Sequence, residues 1–160
     1  MLPEVASWLR RRTSRAEDWP PRLLLGAKGD TRVSVVLPAR DEEATVGAIV
    51  AAIRADLVER VPLVDEIVVI DSRSEDRTAA VAAAAGAEVV AQDAVLPGEG
   101  RMSGKGEALW KSLAVTSGDV IVFVDADLRE FSSSYVTGLL GPLLTDPSVS
   151  YVKGCYDRRR

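Results

Sequence analysis

Val120-Ile121-Val122-Phe123-Val124-Asp125-Ala126-Asp127 joins five consecutive apolar residues to two carboxylates spaced i and i+2. An apolar run of that length reads as a strand buried on both faces, the kind that parallel sheets use. Carboxylates avoid interiors unless they are paired or bound to a cation. The carboxyl ends of parallel strands are also where open α/β sheets take their ligands. Two hard oxygen donors at such a place suit Mg²⁺ or Mn²⁺ carrying a phosphorylated substrate. The competing role is a solvated turn in which Asp127 merely caps the segment that follows.

Working outward, the same strand–helix alternation recurs. Residues 1–32 form a lead-in arm, punctuated by Trp8, Trp19 and Pro20-Pro21 and carrying Arg10, Arg11, Arg12 and Arg15. It is expected to be solvated or partly helical, with Trp19 docked on the domain formed by residues 33–160. Val33–Leu37 predicts a strand closed by Pro38. Residues 43–59 predict a helix with Val46, Ile49, Val50, Ile53 and Leu57 on one face. Glu66–Ile70 predicts a second strand ending at Asp71, and Thr78–Ala85 a helix capped by Ser74 or Asp76 and stopped by Gly86.

Glu88–Ala91 is a short third strand. A glycine-bearing loop over residues 97–106 leads into a helix with Ala108, Leu109 and Leu113, which ends at Gly118. After the Asp-X-Asp strand, Ser132–Ser134 introduce a helix with Val136, Leu139, Leu140 and Leu143 on one face, and Val149–Val152 predicts a fifth strand. This alternation specifies an α/β fold with a doubly wound, mostly parallel sheet and right-handed crossovers.

Composition narrows the chemistry. The apolar fraction is 47% and the charged fraction 28%, ordinary for a globular protein, and a net charge of −4 argues against nucleic acid as a partner. Apolar runs are too short for stable membrane insertion. The single cysteine, Cys155, excludes an intramolecular disulfide and fits a reducing cytoplasm; it is expected as a small hydrophobe on the last strand. There is no histidine, so a site in these residues works with carboxylates, Lys, Arg and backbone groups.

Three strand ends, at Pro38, Asp71 and Asp125, should open on one edge of the sheet and share a crevice. Leu37-Pro38-Ala39-Arg40-Asp41-Glu42-Glu43 places acids at the start of the next helix, where its dipole favours them; Glu43 is read as a cap. In Ile70-Asp71-Ser72-Arg73-Ser74-Glu75-Asp76, only Asp71 and Ser72 stand out from an ordinary capped loop. Lys105 lies between Gly104 and Gly106 just ahead of a helix, a placement that brings an ammonium and free N–H groups to a phosphate. This is not a Walker A loop, because Glu99 and Gly106 occupy positions that need Gly and Ser or Thr. No Gly-X-Gly-X-X-Gly follows the first strand either.

Taken together, Val-Val-Leu-Pro-Ala-Arg-Asp-Glu-Glu, Val-Ile-Asp-Ser-Arg-Ser-Glu-Asp-Arg-Thr, Gly-Lys-Gly-Glu-Ala-Leu-Trp and Val-Asp-Ala-Asp-Leu resemble the GT-A nucleotide-sugar glycosyltransferases, with their Rossmann-like fold. Within that fold the set looks most like the glucosyl-3-phosphoglycerate synthases, over most of residues 19–156. The resemblance implies a retaining transfer of glucose from UDP-glucose (or GDP-glucose) to 3-phosphoglycerate, dependent on Mg²⁺ or Mn²⁺. By position it implies that Pro38, Ala39 and Glu42 hold the uridine with Asp71 and Ser72 beside them. Lys105 contacts the diphosphate, Asp125 lies near ribose and metal, and Asp127 ligates the metal.

Arg40 stands where leucine is expected, and Ala126 where serine is usual. The family continues beyond this length, and its later part supplies acceptor-binding residues and a histidine metal ligand. These 160 residues are therefore expected to bind donor but transfer little glucose alone, Arg158-Arg159-Arg160 being the only basic cluster after the fifth strand. A polyprenyl-phosphate glycosyltransferase would favour an Asp-Asp-Gly-Ser turn and membrane-facing helices, and an inactive nucleotide-sugar-binding module is the alternative outside enzymes. Self-association as a homodimer is left open.

Overall fold

The computed structural model describes residues 2–100, 102 and 104–155. Four strands, β1 (Val33–Ala39), β2 (Glu66–Asp71), β3 (Glu88–Ala91) and β4 (Val120–Phe123), pair in the order β3-β2-β1-β4. Every pairing is parallel. Helices α1 (Pro3–Arg12), α2 (Pro21–Lys28), α3 (Val46–Ile53), α4 (Thr78–Ala84), α5 (Lys105–Ser112) and α6 (Ser134–Thr145) complete the architecture.

Alternating side chains of the central strands feed two cores, one on each face of the sheet. Val33, Val35 and Leu37 join Ile67 and Val69 beneath α3, α4, α6 and α2, in a cluster with Ile49, Ile53, Val136, Leu140 and Leu24. Val36, Val68 and Ile70 face the other way and pack on Ala108 of α5. Helices on both faces of a parallel sheet make the fold doubly wound, as the alternation of elements requires.

Pro38 does not close β1, which runs on to Ala39. The reason lies in which side each peptide faces. The Val36 carbonyl accepts from Val124 N–H at 3.0 Å on the β4 side, and Ala39 O accepts from Ser72 N–H at 2.8 Å on the β2 side. Pro38, two residues beyond Val36, therefore turns its missing N–H toward β4. The β1–β4 register already ends at Val36 opposite Phe123, so no ladder bond is lost.

The expected fifth strand at Val149–Val152 is not formed. Val149 N–H donates to Asp146 O at 2.9 Å in a turn, no ladder partner lies alongside among the described residues, and Tyr151 is 78% exposed. β-propensity without a neighbouring strand leaves only extended chain. Cys155 accordingly lies on no strand and is exposed. Arg158, Arg159 and Arg160 lie outside the described residues. The helix expected over residues 43–59 begins at Val46 and continues from Arg54 to Arg60 as a π-helical turn. No helix among the described residues is long and apolar enough to cross a membrane.

The lead-in packs onto α6 where two glycines remove side chains. Ala16 meets Gly138, and the Trp19 indole lies on Gly141, its Nε1 donating to Ser14 Oγ at 2.9 Å. Leu24 of α2 is completely buried, whereas no residue of α1 is buried. A Cβ at Gly141 would overlap the indole ring. Overpacking costs about 1–3 kcal/mol, and the helix gains about 0.5–1 kcal/mol from Gly→Ala. Gly141→Ala is therefore expected to lower stability by about 1 kcal/mol. Urea unfolding followed by tryptophan fluorescence measures this, and a stabilising result would contradict docking of the indole.

Candidate functional site

Because β1 continues past the last β4 pair, the two strands part at their carboxyl ends. This is also where the chain order reverses, since β2 and β3 lie to one side of β1 and β4 to the other. Such a switch point opens a crevice in doubly wound sheets. A cleft of about 370 Å³ lies there. Pro38, Ala39, Arg40 and Glu42 line it from β1, Ser72 and Arg73 from β2, and Gln92 from the end of β3. Gly104 and Lys105 enter from the start of α5, and Asp125, Ala126 and Asp127 follow β4.

Of the residues singled out from sequence, Pro38, Ala39, Glu42, Ser72, Lys105, Asp125 and Asp127 all line this one cleft. Asp71 does not. It closes β2, and its Oδ1 accepts from Ser74 N–H at 3.3 Å within the turn. Five further residues line the cleft without an assignment from the sequence: Arg40, Arg73, Gln92, Gly104 and Ala126. Gln92 is the first residue after β3, so counting a fourth strand end would have found it.

The loops that carry these residues are cross-braced. Asp41, at φ 56°, donates its N–H to Ser74 Oγ (3.0 Å), while its own Oδ1 accepts from Glu75 N–H (2.7 Å). Glu42 N–H donates to Thr78 Oγ1 (2.7 Å), and Glu43 N–H to Asp76 Oδ2 (3.0 Å). Glu43 Oε2 in turn accepts from Arg77 N–H at 3.0 Å. Asp76 caps its own helix through Thr78 N–H (2.8 Å), but its second oxygen serves the neighbouring loop. These bonds satisfy N–H groups just ahead of α3, which have no partner within the helix.

Charge is distributed unevenly. Burial pushes the Glu42 carboxyl up, and the nearby Asp127 charge pushes it further in the same direction, against a hydrogen bond from Thr45. Asp127 is exposed and makes no hydrogen bond or ion pair with a described residue. Asp125 is ion-paired with the Lys105 ammonium, both side chains being about half exposed at 48% and 53%. Such a pair is weak and exchangeable in water. No three His, Cys, Asp or Glu side chains converge as a ready metal centre among the described residues. The two carboxylates after β4 match the way Mg²⁺ is usually held, by one or two acids together with phosphate oxygens and water.

Behind the cleft lies a buried ion pair. Lys111 Nζ stands 3.0 Å from Glu107 Oε1, with side-chain exposures of 1% and 0%. The Lys111 hydrogen bond holds the Glu107 carboxyl below the usual carboxylate range. Lys111 Nζ also donates to Gln92 O at 3.2 Å. Arg73, at φ 65°, grips Asp93 through Nε at 3.0 Å and one terminal nitrogen at 2.6 Å, and reaches Glu107 Oε2 at 3.5 Å. One network thus fixes the start of α5, the Ser72-Arg73 turn and the chain after β3.

Residues 34–159 match the model of glycosyl transferase family 2. The chain is 48% identical over 151 residues to the glucosyl-3-phosphoglycerate synthase of Mycolicibacterium smegmatis, covering 94% of this chain and 49% of that protein. The crystal structure of mannosyl-3-phosphoglycerate synthase from Rubrobacter xylanophilus superposes with a TM-score of 0.84 at 44% identity, over 89% of this chain and 46% of that one. Glucosyl-3-phosphoglycerate synthase from Mycobacterium tuberculosis, in complex with Mn²⁺, UDP-glucose and phosphoglyceric acid, gives a TM-score of 0.73 at 47% identity, over 80% and 44% of the two chains. The chain spans about half the length of the relatives it matches. Its parallel α/β sheet is the GT-A fold of these enzymes, and the chain belongs to glycosyl transferase family 2.

Proposed function

We propose that these residues are the donor-binding part of a retaining, metal-dependent glucosyltransferase that moves glucose from UDP-glucose to 3-phosphoglycerate. The carrying observation is the convergence, in one cleft, of Pro38, Ala39, Glu42 and Ser72 with Lys105, Asp125 and Asp127. The bound ligands of the M. tuberculosis relative support the same donor, metal and acceptor. Lys105 exchanges its exposed bond to Asp125 for the diphosphate, a charge-assisted contact. Asp127, with the Asp125 released by that exchange, would hold a divalent cation. When bound, that ion offsets charge developing on the departing diphosphate. Pro38 and Ala39 present backbone and a flat apolar edge to the nucleoside, and Glu42 offers a carboxylate to its hydroxyls.

Isothermal titration of the 160-residue chain tests donor binding. UDP is expected to bind with Mn²⁺ present and to lose at least tenfold in affinity with EDTA; equal binding in both would remove the metal from the site. Asp127→Asn should abolish that metal dependence. It also relieves like charge on Glu42, so thermal stability of the ligand-free protein should hold or rise slightly. A large loss of stability would make Asp127 a structural residue.

Lys105→Ala should weaken UDP by roughly tenfold, the scale of one charge-assisted hydrogen bond, and leave uridine binding unchanged. A parallel fall in both would mean that Lys105 holds its loop rather than the phosphates.

A further inference from the structure

Gln92 stands out from the other polar side chains of the cleft because it is almost fully buried, at 2% exposure, yet half of its carboxamide is unused. Its Oε1 accepts from the Ser72 hydroxyl at 2.7 Å. Its Nε2, with two N–H donors, has no hydrogen-bond partner among the described residues. The side chain lines the cleft, so these donors are available to whatever occupies it. An amide held in an almost fully buried residue, with its donors open only to the cleft, is placed to meet a ligand acceptor there.

Both members of the pair are fixed. Ser72 N–H is held by Ala39 O at 2.8 Å, and Gln92 O by the buried Lys111 ammonium at 3.2 Å. With its hydrogen committed to Gln92, the Ser72 oxygen retains lone pairs toward the cleft. The wall therefore offers a donor beside an acceptor, both neutral and in fixed orientation.

Position decides which part of a nucleotide sugar meets this wall. The strand order puts the end of β3 three strand spacings from the end of β4, about 14 Å. Asp125, Asp127 and Lys105 are at the β4 end, whereas Arg73 beside Ser72 is already paired with Asp93 and Glu107. A diphosphate and its cation belong there, which leaves the uncharged heterocycle for Ser72 and Gln92.

Building on the donor-binding function proposed above, we propose that Gln92, oriented by Ser72, selects the base, accepting oxo bases and rejecting their amino counterparts. Uracil presents a carbonyl acceptor beside the N3–H donor, which complements the Gln92 Nε2 donor and the Ser72 oxygen. Guanine offers the same order in O6 and N1–H. Cytosine and adenine reverse it, with an amino donor beside a bare ring nitrogen. They would set N–H against N–H and lone pair against lone pair. Sites built around buried polar partners discriminate strongly in this way, because a mismatched ligand leaves those partners unpaired.

Titration of the 160-residue chain with UDP, CDP, GDP and ADP, each with Mn²⁺, tests the inference. UDP should bind at least tenfold more tightly than CDP, and GDP than ADP; N3-methyl-UDP should fall to the level of CDP. Gln92→Met keeps the volume and removes both polar groups, so it should bring UDP down to CDP. Gln92→Glu, an acceptor only, should shift preference toward CDP. If UDP and CDP bind wild-type protein equally, the inference fails while donor binding stands. If no nucleotide binds, the donor reading fails and the inference with it. The wild-type ligand series decides the matter even where a Gln92 variant does not fold.

Discussion

The parallel ladder between β1 and β4 stops at Val36 opposite Phe123, while the ladder between β1 and β2 runs on to Ala39 opposite Asp71. That difference in length separates two strands at the carboxyl edge and creates the crevice. The sheet behind it is rigid, with Val33, Val35, Val36 and Leu37 fully buried between the two helical layers. Asp125 and Asp127 follow the shorter strand, and Pro38 and Ala39 the longer one, so each side of the cleft inherits its position from the ladder. Proline is tolerated at the parting point because its peptide faces the gap.

Electrostatics in the site divides into a solvated half and a dry half. Lys105, Asp125 and Asp127 are half-exposed or exposed, where ion pairs are weak and easily exchanged for a ligand. Glu107 and Lys111 are buried, where breaking a pair leaves an uncompensated charge and is strongly disfavoured. The exchangeable charges therefore rest on a non-exchangeable support. Glu107 is two residues from Lys105 on the first turn of α5, and the same carboxylate reaches Arg73, so the support spans both sides of the cleft.

Much of this was legible in the sequence. Uninterrupted apolar runs marked the buried parallel strands, and the positions after them marked the ligand edge. Pro38, Ala39, Glu42, Ser72, Lys105, Asp125 and Asp127 were visible because each follows such a run or sits between glycines. What escaped depends on partners distant in the chain. Val149–Val152 has strand composition, but none of the described strands pairs with it. Asp76 reads as a local cap, and half of its role is to hold a loop more than thirty residues away. Gln92 carries no motif at all; its meaning comes from Ser72 and Lys111, twenty and nineteen residues off. Local composition encodes elements, whereas cross-loop hydrogen bonds are encoded only in the assembled sheet.

The cross-bracing of the β1–α3 and β2–α4 loops has a consequence for motion. Amides of surface loops ordinarily exchange with solvent through small local fluctuations. Here the amides of Asp41, Glu42 and Glu43 are bonded to side chains of one loop, and those of Glu75 and Arg77 to side chains of the other. Neither loop can open without releasing its partner. The two behave as a single cooperative unit, whose opening free energy belongs to the sheet edge rather than to either segment. Hydrogen exchange at these five amides should therefore share one rate-limiting opening, and a ligand touching only Glu42 would slow exchange at Glu75 and Arg77 as well.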